Sequence, residues 1–276
     1  MLIFNYFFKY RKGWLQIMQK KMIFFDIDGT LLNDEKKVLP NTKKALKQLK
    51  ENGHEVVIAT GRNLALAQIV IDELEFTNYI LCNGAAGYYH NELVFENKLD
   101  LKEFERLLQV ADAQEHAIVY ESVDALKRRH TENDIRMMTA MKSVGSSVPP
   151  HDADYYLHHP LYQGLIFYPD AEKAAYENGQ FPKFKFVRWH NTGVDIVPHD
   201  GSKARTVLKF AENQGFKVED TIAFGDGLND LEMLTEVGMG VAMGNALETI
   251  KLKADKVTEN CNEDGIYLAL KDLHLI

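Results

Sequence analysis

The sequence predicts an α/β fold, a doubly wound parallel sheet core with an inserted α+β region. Three observations lead there. Short strand-like segments alternate with helical patterns near both ends of the chain, the rhythm of a parallel sheet covered by helices on both faces. Those segments are apolar at nearly every position rather than at every second one, as in strands buried on both sides. The middle, about 86–188, breaks the rhythm with aromatic strand candidates separated by loops.

The elements follow in order. The run MIFF at 22–25 ends on Asp26, Ile27, Asp28, Gly29 and Thr30. Pro40-Asn41 is a helix start, Ala45, Leu46 and Leu49 share one helical face, and Gly53 is a stop. Strand EVVIA at 55–59 runs into Thr60-Gly61-Arg62, a helix follows over 63–74, and strand YILCN at 79–83 precedes Gly84. In the middle, AIVYE, GLIFY and KFKFV read as strands, and Pro149-Pro150 marks a loop. The opening rhythm then returns: a strand at 193–197, a helix over 202–214, and strand TIAF at 221–224 leading into GDGLND. Strand VAM at 241–243 and helices at 246–253 and 264–272 complete the chain. The expected division is an extension at 1–21, a core of 22–85 plus 189–276, and an insert of 86–188, with hinges near 84–87 and 188–192.

Composition bounds the function. The 276 residues are 46% hydrophobic and 26% charged, ordinary for a globular protein. A net charge of −8 argues against a general nucleic-acid binder. No apolar run reaches the ~18 residues of a membrane span, so no stable membrane insertion is expected. Two cysteines, Cys82 and Cys261, fit a reducing cytoplasm better than a disulfide framework. Residues 1–21 differ in kind, with Lys9, Arg11, Lys12, Lys20 and Lys21 and no acid. Two readings stand for them: a segment that touches a membrane surface or partner, or one outside the folded protein, with translation beginning at Met18 or the segment disordered.

Ligands of open α/β sheets bind beyond the carboxyl ends of the strands. Asp26 and Asp28, Thr60, Asn83 and Asp226 each follow a different predicted strand and so converge on one edge. Asp26, Asp28, Asp226 and Asp230 bring four carboxylates there, against Lys203 as the cation placed with them. Two like charges ~4 Å apart repel by about 4 kcal/mol at an effective dielectric of ~20, so the cluster has to take up protons or a cation. Oxygen ligands without a His or Cys partner point to Mg²⁺, and Mg²⁺ points to a phosphate. Lys203, predicted in the first helical turn after the N-cap Ser202, opposes the helix dipole. A phosphate bound there reverses that penalty. Thr60-Gly61, just before another helix, offers a hydroxyl and a backbone amide.

DIDGT at 26–30, Thr60 of IATGR, Lys203, and GDGLND at 225–230 resemble the four motifs of haloacid-dehalogenase (HAD) superfamily phosphatases. The long insert, NGA at 83–85, VDIVP at 194–198 and ENCNEDGI at 259–266 resemble the Cof-type members, subfamily IIB, with a C2-type cap. The resemblance covers about 22–276 and implies a Rossmann-like core whose insert is an α+β cap that selects the substrate. It implies a Mg²⁺-dependent phosphatase of small phosphorylated metabolites, such as sugar phosphates or phosphorylated cofactors. In it, Asp26 is the nucleophile and Asp28 the acid and base. Thr60, Gly61, Lys203 and Asn229 hold the phosphoryl group. Mg²⁺ is bound by Asp26, the Asp28 carbonyl and Asp226, with Asp230 orienting that shell. Because Asp28 has to carry a proton in one step and remove one in the next, a raised pKa is expected for it. A sugar phosphomutase and a non-catalytic phosphometabolite-binding protein are the alternatives.

Overall fold

The computed structural model describes residues 6–11 and 14–276, with side chains from Gln19 onward. Strands β1 (Tyr6–Arg11) and β2 (Trp14–Gln19), within the expected extension, form an antiparallel pair. The expectation for residues 1–5, 12 and 13 lies outside the described residues.

The strands that follow are β3 (Met22–Phe25), β4 (Glu55–Ala59), β5 (Tyr79–Leu81), β6 (Ala86–Tyr89) and β7 (Glu92–Glu96). Next come β8 (Ile118–Glu121), β9 (Leu126–Arg128), β10 (Gln163–Phe167), β11 (Phe184–Arg188) and β12 (Gly193–Pro198). The last are β13 (Thr221–Gly225), β14 (Met239–Ala242) and β15 (Lys256–Val257). Among the described residues they build an eight-stranded sheet in the order β15-β14-β13-β3-β4-β5-β6-β7 and a five-stranded one in the order β11-β12-β10-β8-β9. From β15 to β5 every neighbouring pair is parallel, whereas β6 and β7 return antiparallel at one edge. The chain builds outward from β3 first through β4 and later through β13. The strand order therefore reverses at β3, where open α/β sheets carry their ligand crevice.

Period-two alternation splits each central strand between two cores. Ile23, Phe25, Val56 and Ile58 face one side, where they meet Ala45, Leu46 and Leu49 of helix Pro40–Glu51 and Ile266 and Leu270 of helix Gly265–Asp272. Met22, Phe24, Val57 and Ala59 face the other, against Val207 and Phe210 of helix Lys203–Asn213 and Met233 and Leu234 of helix Leu231–Glu236. This is the doubly wound core the sequence predicts.

Sheet membership differs from the expected division at both ends of the insert. Residues 86–96 form a hairpin on the larger sheet, turning through His90 and Asn91 at φ 51° and 65°. Strand β12, expected in the core, pairs with β10 and β11 in the smaller sheet. A run such as GVDIVP, buried at every position, fits a central strand of either sheet, and only its long-range partners decide. The chain thus crosses between sheets near 97–100 and 199–202 rather than at the expected hinges. Asn97 Nδ2 donates to Asp200 Oδ1 at 3.0 Å and ties the two crossings together.

Candidate active site

Asp26 continues β3 by one residue, its N–H donating to Phe224 O at 3.0 Å. That bond puts the end of β3 beside the loop after β13. Gly29, at φ 72°, turns the chain back; a Cβ there would lie 2.2 Å from Asp226 Oδ2, so glycine is required by both conformation and contact. Thr30 Oγ1 donates to Asp226 Oδ1 at 3.0 Å, and Asn245 Nδ2 donates to Asp226 Oδ2 at 3.1 Å and to Gly29 O at 2.8 Å. Asp230 Oδ2 accepts from the N–H groups of Asp226 and Gly227 at 3.1 and 2.9 Å, closing the GDGLND loop on itself.

Lys203 begins helix Lys203–Asn213, and Ser202 is its N-cap, accepting from Arg205 N at 3.2 Å as the sequence predicts. The cation is 3% exposed, with Nζ at 2.8 Å from Asp26 Oδ1 and 2.6 Å from Asp230 Oδ1. Two buried carboxylates thus offset its unfavourable place on the helix dipole. Oxygens of Asp26, Asp226 and Asp230 lie within 4.8 Å of one another. Burial, then the charge of Asp230, pushes Asp26 well above the carboxylate range despite Lys203. The same two causes raise Asp226 to about 7. Burial would lower Lys203, but Asp230 and Asp26 hold it above its usual value.

Asp28 points elsewhere. Its carboxylate accepts from Arg62 Nε at 2.8 Å, Arg62 Nη2 at 2.7 Å and Lys36 Nζ at 3.0 Å. Burial pulls its pKa up, but the hydrogen bonds and charge of Arg62, aided by Lys36, overcome it and hold the group below the usual carboxylate range. The expected upward shift is therefore reversed, because two cations the sequence reading did not place there, Arg62 and Lys36, face Asp28.

Thr60 extends β4 by donating its N–H to Ile80 O at 2.9 Å, while its Oγ1 accepts from Arg62 N at 3.1 Å. Gly61 lies against Asn83, which a Cβ would approach to 3.1 Å from Oδ1. Asn229 Nδ2 donates to that Asn83 Oδ1 at 3.1 Å. The fold therefore gathers Asp26, Asp226, Asp230 and Lys203 into one cluster, buried except for the half-buried Asp226. It sets Gly61 and Asn229 around Asn83, and turns Asp28 toward Arg62. Sequence reasoning assigned no role to Arg62, Lys36 or Asn245. Arg62 stands in the quoted IATGR motif and Asn245 shortly follows a strand of the same edge, so both were within reach of the strand-end argument.

The model of the haloacid dehalogenase-like hydrolase family matches residues 23–270. The chain belongs to that family. YkrA of Bacillus subtilis (strain 168) is 39% identical over 259 residues, covering 94% of this chain and 100% of its own. The 5-amino-6-(5-phospho-D-ribitylamino)uracil phosphatase YcsE of the same organism is 30% identical, over 91% of this chain and 94% of its own. Among solved structures, the HAD subclass IIB sugar phosphatase BT4131 aligns with a TM-score of 0.81 at 27% identity, covering 93% of this chain and 100% of its own. The chain is thus a Cof-type HAD hydrolase, and its activity class is that of a phosphoric monoester hydrolase. No helix among the described residues is long and apolar enough to cross a membrane.

Proposed function

We propose that this HAD hydrolase is a Mg²⁺-dependent phosphatase of small phosphorylated metabolites that works through an aspartyl phosphate on Asp26. The observation that carries the reading is the cluster of Asp26, Asp226 and Asp230, with Lys203 paired to Asp26 and Asp230. YcsE and BT4131, named for a ribitylaminouracil phosphate and for sugar phosphates, support small phosphorylated metabolites as the substrate class.

The donor set suits Mg²⁺: three carboxylates within 4.8 Å with no His or Cys among them. Asp26 and Asp226, with the Asp28 carbonyl, would hold it. Asp230 has one oxygen on Lys203 and the other on two backbone N–H groups, so its part is to orient the shell. Bound there, Mg²⁺ would neutralise the carboxylates and the charge that develops on the transferring phosphoryl group.

Asp26 would attack phosphorus, forming the Asp26 O–P bond as the bond to the leaving oxygen breaks. Asp28, as the acid, gives that oxygen a proton. In the second half Asp28 takes a proton from water, the water oxygen attacks phosphorus, and Asp26 leaves as the free carboxylate. The Arg62 pair keeps Asp28 in the base form, and Arg62 has to turn away for the acid form. Lys203, the Thr60 hydroxyl, the Gly61 amide and Asn229 would hold the phosphoryl oxygens. The smaller sheet would serve as the cap, closing over the edge and selecting the leaving group. Cys82 and Cys261 are both free and buried, which suits the cytoplasm.

Asp26→Asn tests the reading. The variant should fold, by circular dichroism, and release no phosphate from a metabolite library assayed with Mg²⁺. Turnover retained in it would remove Asp26 as the nucleophile.

A further inference from the structure

Three consecutive residues after β5 have positive φ: Cys82 at 51°, Asn83 at 53° and Gly84 at 95°. For a residue other than glycine this region costs roughly 1–2 kcal/mol, least for Asn. The turn is nevertheless locked from outside. Thr206 Oγ1 donates to Gly84 O at 2.8 Å, and a Cβ on Gly84 would come within 2.7 Å of Ser202 O. The left-handed turn is thereby pressed against the start of the helix that carries Lys203. Strained backbone held so firmly serves to aim what it carries, and what it carries is the Asn83 side chain.

That amide spans the two sheets. Nδ2 donates to Gln163 Oε1 on β10 at 2.8 Å and to Asp195 Oδ2 on β12 at 2.9 Å, while Oδ1 accepts from Asn229 Nδ2 at 3.1 Å. Gln163 Nε2 in turn donates to Glu121 Oε2 on β8 at 3.0 Å. Donation thus runs one way, from Asn229 through Asn83 to Asp195 and, by way of Gln163, to Glu121. In this arrangement the carboxylates of Asp195 and Glu121 both accept, and each amide between is turned to match them. With Asn83 turned the other way, its amino group would face that of Asn229 and repel it. All three side chains of the smaller sheet's contact and Asn83 itself are buried, with Asp195 and Asn83 at 8% and Glu121 and Gln163 at 2% exposed.

We propose that Asn83 is a positioning residue that couples the seating of the smaller sheet to Asn229, so the reaction edge is complete only when β10 and β12 are docked on it. Asn83 acts through Asn229 and need not touch substrate. The inference rests on the proposed reading in one respect, the place of Asn229 in the phosphoryl site. It also implies that changes deep in the smaller sheet alter turnover without altering the cluster around Lys203.

Asn83→Gly is the direct test, because glycine keeps the left-handed turn and removes only the amide. With para-nitrophenyl phosphate, kcat should fall roughly 10- to 100-fold, the scale of a misplaced group, while KM changes less than about threefold. In a double-mutant cycle, N83G should cost less than about threefold on top of Asn229→Ser, since both break one chain. Gln163→Leu should lower kcat in the unmodified background and have little effect in N83G. If N83G does not fold, the Q163L and N229S pair reads the same coupling from the other end. A kcat within about twofold of the unmodified protein in N83G and Q163L, or full additivity in the cycles, overturns the proposal. Loss of the nucleophile reading would show instead as turnover in Asp26→Asn, a separate result.

Discussion

Arg62 grips Asp28 with one edge of its guanidinium, Nε at 2.8 Å from Oδ2 and Nη2 at 2.7 Å from Oδ1. Bidentate pairs of this kind strongly favour the charged carboxylate. They place Asp28, in this arrangement, on the base side of the two tasks proposed for it.

Replacing Arg62 with methionine should therefore raise the Asp28 pKa, leaving burial as the dominant cause. The pH limb of kcat/KM that belongs to Asp28 should move to higher pH. The linkage has the matching sign. A carboxylate with a depressed folded pKa adds stability above its unfolded pKa and loses it as pH falls through the folded value. That acid-side loss should be smaller in R62M. A limb at the same pH in both proteins would show that Arg62 does not set the ionisation of Asp28.

Lys203→Met should be costly to the fold as well as to catalysis. It leaves Asp26 and Asp230 buried with no cation at the 2.8 and 2.6 Å positions. Breaking one partner of a buried pair costs about 3–5 kcal/mol. Urea unfolding should show that loss, and adding Asp230→Asn should restore part of it by removing one stranded charge. A K203M protein as stable as the original would mean the carboxylates take up protons at no cost.

Metal and pH should be coupled through Asp226. Its pKa, about 7 from burial and the charge of Asp230, lies above that of the unfolded chain, near 3.9. The folded state thus binds the extra proton between those values, and metal-free stability should fall as pH rises across that window, then level off. Mg²⁺ needs the ionised carboxylate, so the rise in Tm on adding Mg²⁺ should be larger at pH 8 than at pH 6. Asp195, also at about 7 from burial, adds to the first trend and not to the second. Scanning fluorimetry with Mg²⁺ or EDTA separates them, and an equal Mg²⁺ effect at both pH values would contradict the coupling.

Gly29→Ala should remove the Mg²⁺ response. Its Cβ would sit 2.2 Å from Asp226 Oδ2 at a backbone φ of 72°. Asp226 has to give way, so phosphate release should fall at least about 100-fold, whereas the left-handed backbone costs only about 1–2 kcal/mol. Calorimetric titration with Mg²⁺ checks the first effect directly.

The strand-end argument found Asp26, Asp226, Lys203 and Asn83 because each depends on local pattern: an apolar run that stops, or a cap before a helix. Strand β12 was out of its reach, since a strand buried at every position carries no mark of which sheet it joins. It missed the Arg62 grip on Asp28 for a related reason. The charge balance of a site depends on which long side chains bend inward, and nothing local marks Arg62 and Lys36 as partners of Asp28. Glu121, Asp195 and Gln163 were invisible as a group because three strands of the smaller sheet contribute one each.

The bond from Asp26 N to Phe224 O has a consequence for the order of events during synthesis. Lys203 and Asp26 are 177 positions apart in the chain, and Thr30 and Asp226 are 196 apart. An emerging polypeptide holds only the first half of the site through most of its translation. The larger sheet closes around β3 when β13 arrives, and contacts of such sequence separation form slowly. The acid cluster is therefore assembled late, and a truncated chain lacks the lysine that pairs with Asp26.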